Sequence, residues 1–241
     1  MVTLSVIYLI TQANLFEPVN ILKFADYLYL EGDYQSALNE YRRYIFLSNS
    51  PKGEIHEKII DCLIKLKRFN EALMECEKIE DTTKVNYTKG FIYFLTGKYD
   101  RAREYLVKIE NNSKFDAKKL IGLSFAYEFR FLEAEGFISL PKPLPKYKSP
   151  ILGGVFSLFP GGGHFYCGRL GDGIYSLLVV STVSALSYYY YKSNEDLKFG
   201  ISVSATVLFY SASIYGGINA VRNYNYYQNE RYLQEILKEN P

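Results

Sequence analysis

The chain carries no tryptophan, two histidines and three cysteines, and these shortages remove whole classes of chemistry. Cys62, Cys76 and Cys167 form no CxxC pair, and with only His56 and His164 beside them no zinc or iron ligand set can be assembled. No metal or cofactor is expected. Cys62 and Cys76 fall on successive predicted helices, so they either pair in an oxidising compartment or stay as two semi-buried thiols. Charge of one sign is scarce too: 28 Lys and Arg against 26 Asp and Glu leave a formal +2. No Lys/Arg run is dense enough to form a phosphate-binding stripe, so nucleic acid is not an expected partner. Carboxylate pairs such as Glu75/Glu77 and Glu133/Glu135 stand at i and i+2, which do not share a helix face, so they make no acid/base dyad. Lacking a nucleophile, base and metal in one arrangement, the chain is not expected to be an enzyme.

Against these shortages stand 24 tyrosines. Many end apolar runs, where a ring with one polar tip suits a lipid headgroup. Residues 1–141 hold most of the charge, whereas between Lys148 and Arg222 ionised groups are confined to Arg169/Asp172 and the stretch Lys192 to Lys198. A soluble part followed by a membrane part is expected. Residues 1–17 open with the apolar run Val2 to Ile10, and Thr11-Gln12-Ala13 offers small residues for a cleavage site, yet no basic segment precedes it. An export signal and a plain first helix are both open.

From residue 18 to 140 one local context recurs: DYQSALNEYRRYI around Ala37, RFNEALMECEKI around Ala72, KYDRAREYLVKI around Ala102 and RFLEAEGFISL around Ala134. The separations are 35, 30 and 32 residues, and an aromatic residue (Tyr34, Phe69, Tyr99, Phe131) stands three before each alanine. Twelve residues before each alanine come Ala25, Ile60, Gly90 and Gly122, where small residues let two helices approach closely. Tyr41, Cys76, Leu106 and Ile138 are expected to fill the space between units. Ile60 breaks the pattern and predicts that the second unit is the least regular. The period and these positions resemble the tetratricopeptide repeat; a generic helical bundle is the competing reading. Stacked repeats imply a concave groove that accepts a peptide or helix.

Residues 141–149 alternate proline with lysine and read as a stiff linker. Beyond it lie 19 uncharged residues from Gly173 to Tyr191 and 23 from Phe199 to Val221. At 1.5 Å per residue these reach about 28 and 35 Å, enough to cross a hydrocarbon core. Residues 150–222 are therefore expected to form a two-span membrane domain, and residues 223–241 an amphipathic tail. In the second span Ala212, Gly216 and Ala220, beside Ser213 and Gly217, form a stripe of small residues for close helix contact. Asn219 is its one strongly polar side chain and is expected to bond to the first span or to backbone. Before the spans, Ile151, Leu152, Val155, Phe156 and Phe159 oppose Gly153, Gly154 and Ser157, which predicts a short helix that lies at the interface or dips into it, ended by Pro160 and three glycines, with the break near the surface or buried against the hairpin. Gly163 to Gly168 has the spacing of a nucleotide-binding loop, but Arg169 and Leu170 replace the Lys and Ser/Thr that such a loop requires.

PGGGHFYCGRLGDG, with Pro160, Gly161, Gly163, Tyr166, Gly168, Arg169, Asp172 and Gly173 at the matching positions, resembles the PGxGQxYxGRxxDG signature of bacterial two-span membrane proteins of the "transmembrane two" kind. His164 stands where these have glutamine. The resemblance extends to FADYLYLEGDYQSALNEYRRYIF near the start. It implies a repeat region joined to a helical hairpin in the bacterial inner membrane, in a group associated with the membrane protein insertion efficiency factor. It also implies a secretion signal, hence periplasmic repeats. The count of basic residues, Lys142, Lys146, Lys148, Arg169 and Arg222 against Lys192 and Lys198, implies cytoplasmic ones.

The expected fold class is thus all-α, a tetratricopeptide-like solenoid followed by a transmembrane hairpin with a short interfacial helix before it. The expected function is a membrane-anchored scaffold that binds a protein segment and aids membrane protein insertion or assembly. A subunit of a small oligomeric channel or transporter is the alternative, so the expected partners are protein, lipid bilayer and further copies of the chain. Arg169, Asp172 and Asn219 are either a polar site or helix-end and interfacial residues.

Overall fold

The computed structural model describes residues 17–48, 53–112 and 115–241. Among them the chain is all-helical, with twelve α-helices and no strand. The signal or first-helix prediction for residues 1–17 falls, except for its last residue, outside the described residues. The chain divides into two compact units, Met1–Ile138 and Ser139–Pro241.

The first unit is a succession of helix pairs: α1 (Pro18–Leu30) with α2 (Tyr34–Leu47), α3 (Gly53–Lys65) with α4 (Phe69–Glu75), α5 (Thr82–Leu95) with α6 (Tyr99–Leu106), and α7 (Ala117–Tyr127) with α8 (Phe131–Ala134). Pro18 opens α1, where its missing N–H leaves no bond unmade, and Asp33 and Asp81 accept from the exposed amides of Ser36, Thr83 and Lys84 at the starts of α2 and α5. Each first helix ends in the same left-handed turn, at Gly32 (φ 83°), Lys67 (59°), Gly97 (70°) and Phe129 (60°). In every copy the next residue's N–H returns to a carbonyl five residues back, Asp33 to Leu28, Arg68 to Leu63, Lys98 to Tyr93 and Arg130 to Phe125. These bonds close the last turn and satisfy its orphan carbonyls. The glycine signal announces only half of these turns; Lys67 and Phe129 adopt the same backbone against their own sterics.

Ala25, Ala37, Ala72, Ala102 and Ala134 are all completely buried. A Cβ on Gly90 or Gly122 would fall 2.6 Å from Leu106 or Ile138. Leu106 and Ile138 therefore press on the glycine of their own pair, and Leu106 also shares a core with Ala117, Leu120 and Ile121 of the next pair, as expected of a residue between units. The second pair is also not the least regular. Its second helix has 7 residues against 14 in α2, but α8 has only 4.

The second unit holds α9 (Pro150–Phe156), α10 (Gly162–Tyr166), α11 (Leu170–Lys192) and α12 (Asp196–Glu239). Both α11 and α12 are long and apolar enough to cross a membrane, and only 17% and 11% of their most apolar stretches are buried, the reverse of a soluble core helix. They run antiparallel, joined by hydroxyl contacts between Ser187 and Thr206 (3.1 Å) and between Ser176 and Ser213 (2.7 Å). The separate tail expected at 223–241 is instead the continuation of α12, whose 44 residues reach about 66 Å. Segment 139–148 lies along that continuation. Lys148 and Asn225 exchange two bonds of 2.8 Å, Tyr147 donates to Asn229, and Tyr232 donates to the Pro141 carbonyl. Prolines leave this segment short of backbone donors and unable to enter a helix, so side chains of α12 satisfy its carbonyls.

Candidate functional site

The first unit has a cleft of about 340 Å³ between α3 and α5, with Glu57, Ile60 and Asp61 on one wall, Lys84 and Thr88 on the other, and Ile79 and Phe115 completing it. It exists where the first helices of successive pairs stand side by side, tied by Asp26 to Lys58 and Glu57 to Lys84 ion pairs, each 2.5 Å. Ile60, the residue that breaks the small-residue pattern, lies buried beneath its floor. Asp61 has no hydrogen bond or ion pair to another described residue. Asp61 is exposed overall, but protein crowding around its carboxyl, and then Glu57 beside it, push that carboxyl above the usual range. Lys65, four residues on, acts in the opposite direction. An apolar floor with a carboxylate held in no ion pair suits a segment that brings a cation with apolar neighbours. Behind this wall Cys62 and Cys76 are free thiols, fully buried, and burial pushes both up to about 11. They are inert packing groups and form no disulfide.

In the second unit the glycine-rich motif is a seat for two short helices. The predicted two-faced α9 is present: Gly153 and Ser157 are buried, while Ile151, Val155 and Phe159 are exposed. It runs down α12, with Gly153 against Val221, Gly154 against Ile218 and the Leu158 carbonyl accepting from Tyr210 at 2.8 Å. The chain reverses at Pro160 and Gly161, and α10 climbs back until Cys167 packs on Ala220 and Val221. Gly161 is doubly required, since its φ is 83° and a Cβ would strike the Gly173 carbonyl. At the crossing of α10 with α12 a Cβ on Gly163 would lie 2.6 Å from the Gly217 Cα, so only bare backbone fits. Ser213 joins all three elements, accepting from the Gly161 amide (3.2 Å) and from Ser176 of α11.

No family model, curated protein or solved structure matches the chain.

The remaining motif residues divide by position. Gly168 makes the left-handed turn into α11, and Gly173 is buried under the Phe165 ring. Tyr166 meets Phe156 at 5.1 Å between ring centroids, and its carbonyl accepts from Lys148. The Lys148 ammonium also stands 4.5 Å from the Tyr224 ring centroid. Arg169 and Asp172 form an ion pair of 2.6 Å with both side chains about half exposed. Asn219 does not join them: it is half-buried and has no hydrogen bond to another described residue, so the bond expected to the first span or to backbone is not made. The small-residue stripe splits likewise. Ala220 is buried under Cys167, Gly216 faces His164, and Ala212 lines a cleft with Arg169 and Asp172. The stripe thus seats α9 and α10 more than α11. Sequence reasoning put Ser157 and Ser213 on faces of small residues but not in hydrogen bonds, and it missed Asn225, because an asparagine in a polar tail carries no positional signal.

Proposed function

We propose that this chain is a membrane-anchored protein-binding scaffold of the bacterial inner membrane. Its first unit is a set of tetratricopeptide-like repeats whose groove holds a peptide or helix, and its second unit is a two-span hairpin. The cleft between α3 and α5 carries this reading: it is built from the first helices of successive pairs, it is open, and Asp61 in it makes no ion pair with another described residue. The repeated left-handed turn at Gly32, Lys67, Gly97 and Phe129 supports the repeat reading, since a generic bundle has no reason to use one turn at each of these positions. For the membrane unit the support is the exposed apolar surface of α9, α11 and α12, which water would not tolerate. In that reading α9 and α10 dip into the bilayer beside α12, and the contacts of Ser213 and Tyr210 satisfy the broken backbone at depth. Pro145 and the carboxyl end then face the same compartment, because two spans return the chain to its side of entry.

A photo-crosslinking residue at Thr88, compared with one at Glu40, tests the groove in intact cells. A discrete protein adduct from Thr88 that is lost on Asp61→Lys is expected. Equal adducts from both positions, or none from Thr88 in a chain correctly integrated in the membrane, would overturn the proposal. Reporter fusions at Pro145 and at the carboxyl end test the hairpin, and opposite signals from the two would refute it.

A further inference from the structure

We propose that the cleft beside Arg169 and Asp172 binds one zwitterionic phospholipid of the phosphoethanolamine type, an inference that rests on reading α11 and α12 as membrane spans. The cleft has a volume of about 290 Å³; His164, Arg169 and Asp172 stand at one end and Val179, Val180 and Phe209 at the other.

Charge complementarity selects the headgroup. Arg169 and Asp172 present a positive and a negative group 2.6 Å apart, each about half exposed. The pair uses one guanidinium nitrogen and one carboxylate oxygen, so further N–H groups and the second oxygen remain available. A phosphate diester accepts from the guanidinium, and an ammonium two carbons away donates to the carboxylate. A headgroup with a net negative charge and no ammonium would meet Asp172 unfavourably.

A second observation is independent of that pair. His164 lines the cleft, yet neither of its ring nitrogens is bonded to a described residue, and Nδ1 is sealed from solvent. Nδ1, being sealed, is out of a ligand's reach; Nε2 is the edge left for one, and with the ring proton on it the imidazole offers a phosphate or ester oxygen in the cleft an N–H donor. The ring has its place because residue 216 is glycine: a Cβ there would stand 3.1 Å from Nε2.

The apolar end lies where an acyl chain must go. Val179 and Val180 follow Asp172 by 7 and 8 residues on α11, about 10–12 Å along the span, and Phe209 faces them from α12. A chain hanging from a headgroup at Arg169 passes along these side chains, with protein on one side and bilayer on the other.

The test uses the full chain in detergent, incubated with equimolar phosphatidylethanolamine and phosphatidylglycerol and read by native mass spectrometry. The first bound lipid is expected to be phosphatidylethanolamine. Asp172→Asn should erase the preference while lipid still binds. Arg169→Ala should weaken binding of both lipids by about tenfold. Ala212→Phe, a change at an exposed position lining the cleft, should block both. Equal binding of the two lipids by the unaltered chain, or variants that bind as it does, would overturn the proposal. Equal displacement by water-soluble phosphoethanolamine would overturn the acyl-chain part. Alkaline carbonate washing of membranes separates the two readings. A chain that resists extraction but shows no preference loses only the lipid site, whereas a chain released by the wash loses the membrane spans as well.

Discussion

Replacing Gly217 by alanine should unseat α10 from α12. The added Cβ would collide with the Ser157 hydroxyl and stand 3.1 Å from the Gly163 Cα, which is backbone and cannot rotate away. Ser157 could move only by giving up its 2.7 Å bond to the Gly153 carbonyl. Overpacking of this kind costs about 1–3 kcal/mol, and the lost bond about 1 kcal/mol, against about 1 kcal/mol recovered from alanine's helix preference. The net loss is about 1–3 kcal/mol. Gly200, on the same helix, is the control, because no atom lies within 4 Å of its Cβ position and Gly200→Ala should gain up to about 1 kcal/mol. Cys167, buried between α10 and α12, reports the opening. At tenfold per 1.4 kcal/mol, a loss of about 2 kcal/mol raises the open population, and hence maleimide labelling of Cys167 in the detergent-solubilised chain, about thirtyfold. Labelling rates for Gly217→Ala and Gly200→Ala that agree within about twofold would refute the close packing on which this reasoning stands.

Three further outcomes follow from the first unit. Lys67→Gly should stabilise it by about 0.5–1 kcal/mol, and Gly97→Ala should destabilise it by about 1 kcal/mol, since both sites demand φ > 0 and the Gly97 Cβ position is otherwise empty; amide exchange of α3 to α6 reads both. Hydrogen bonds from Ser36 hold the Asp33 carboxyl below its usual range, so its cap on α2 is intact above about pH 4 and is lost as the pH falls further. Amide exchange at the start of α2 should therefore accelerate in acid, and Asp33→Asn should remove that dependence. Cys62 and Cys76, with thiols pushed up to about 11, should resist alkylation in the folded chain even at pH 9 and react at once in denaturant.

Much of the helix layout was legible because it depends on short-range signals. Alanine at a fixed place in each copy, an aromatic three residues earlier and a glycine at the turn mark a helix pair without knowledge of its neighbours. Lys67 and Phe129 were not legible as left-handed residues, since nothing in their chemistry asks for that backbone; the helix ends on both sides impose it. Leu106 was read as a filler between units and does share a core with the next pair, but its contact with Gly90, like that of Ile138 with Gly122, was not legible, because a spacing of 3.6 gives the face of a helix and not what lies opposite. Asn219 drew attention for its polarity. Asn225, equally plain in sequence, holds the 139–148 segment because that segment happens to pass it.

By itself the sequence determined what is local: where charge stops, where uncharged runs are long enough to span a bilayer, where prolines and glycines forbid helix, and which faces of α9 are apolar. Only the tertiary structure decided how the glycine-rich stretch is used. Its small residues are compatible with a loop, a flat interfacial helix or a tight crossing, and composition does not distinguish among these. Gly163 and Gly217 became the crossing point because they bring two backbones closer than any side chain allows, and that closeness sets Arg169, Asp172 and His164 around one cleft.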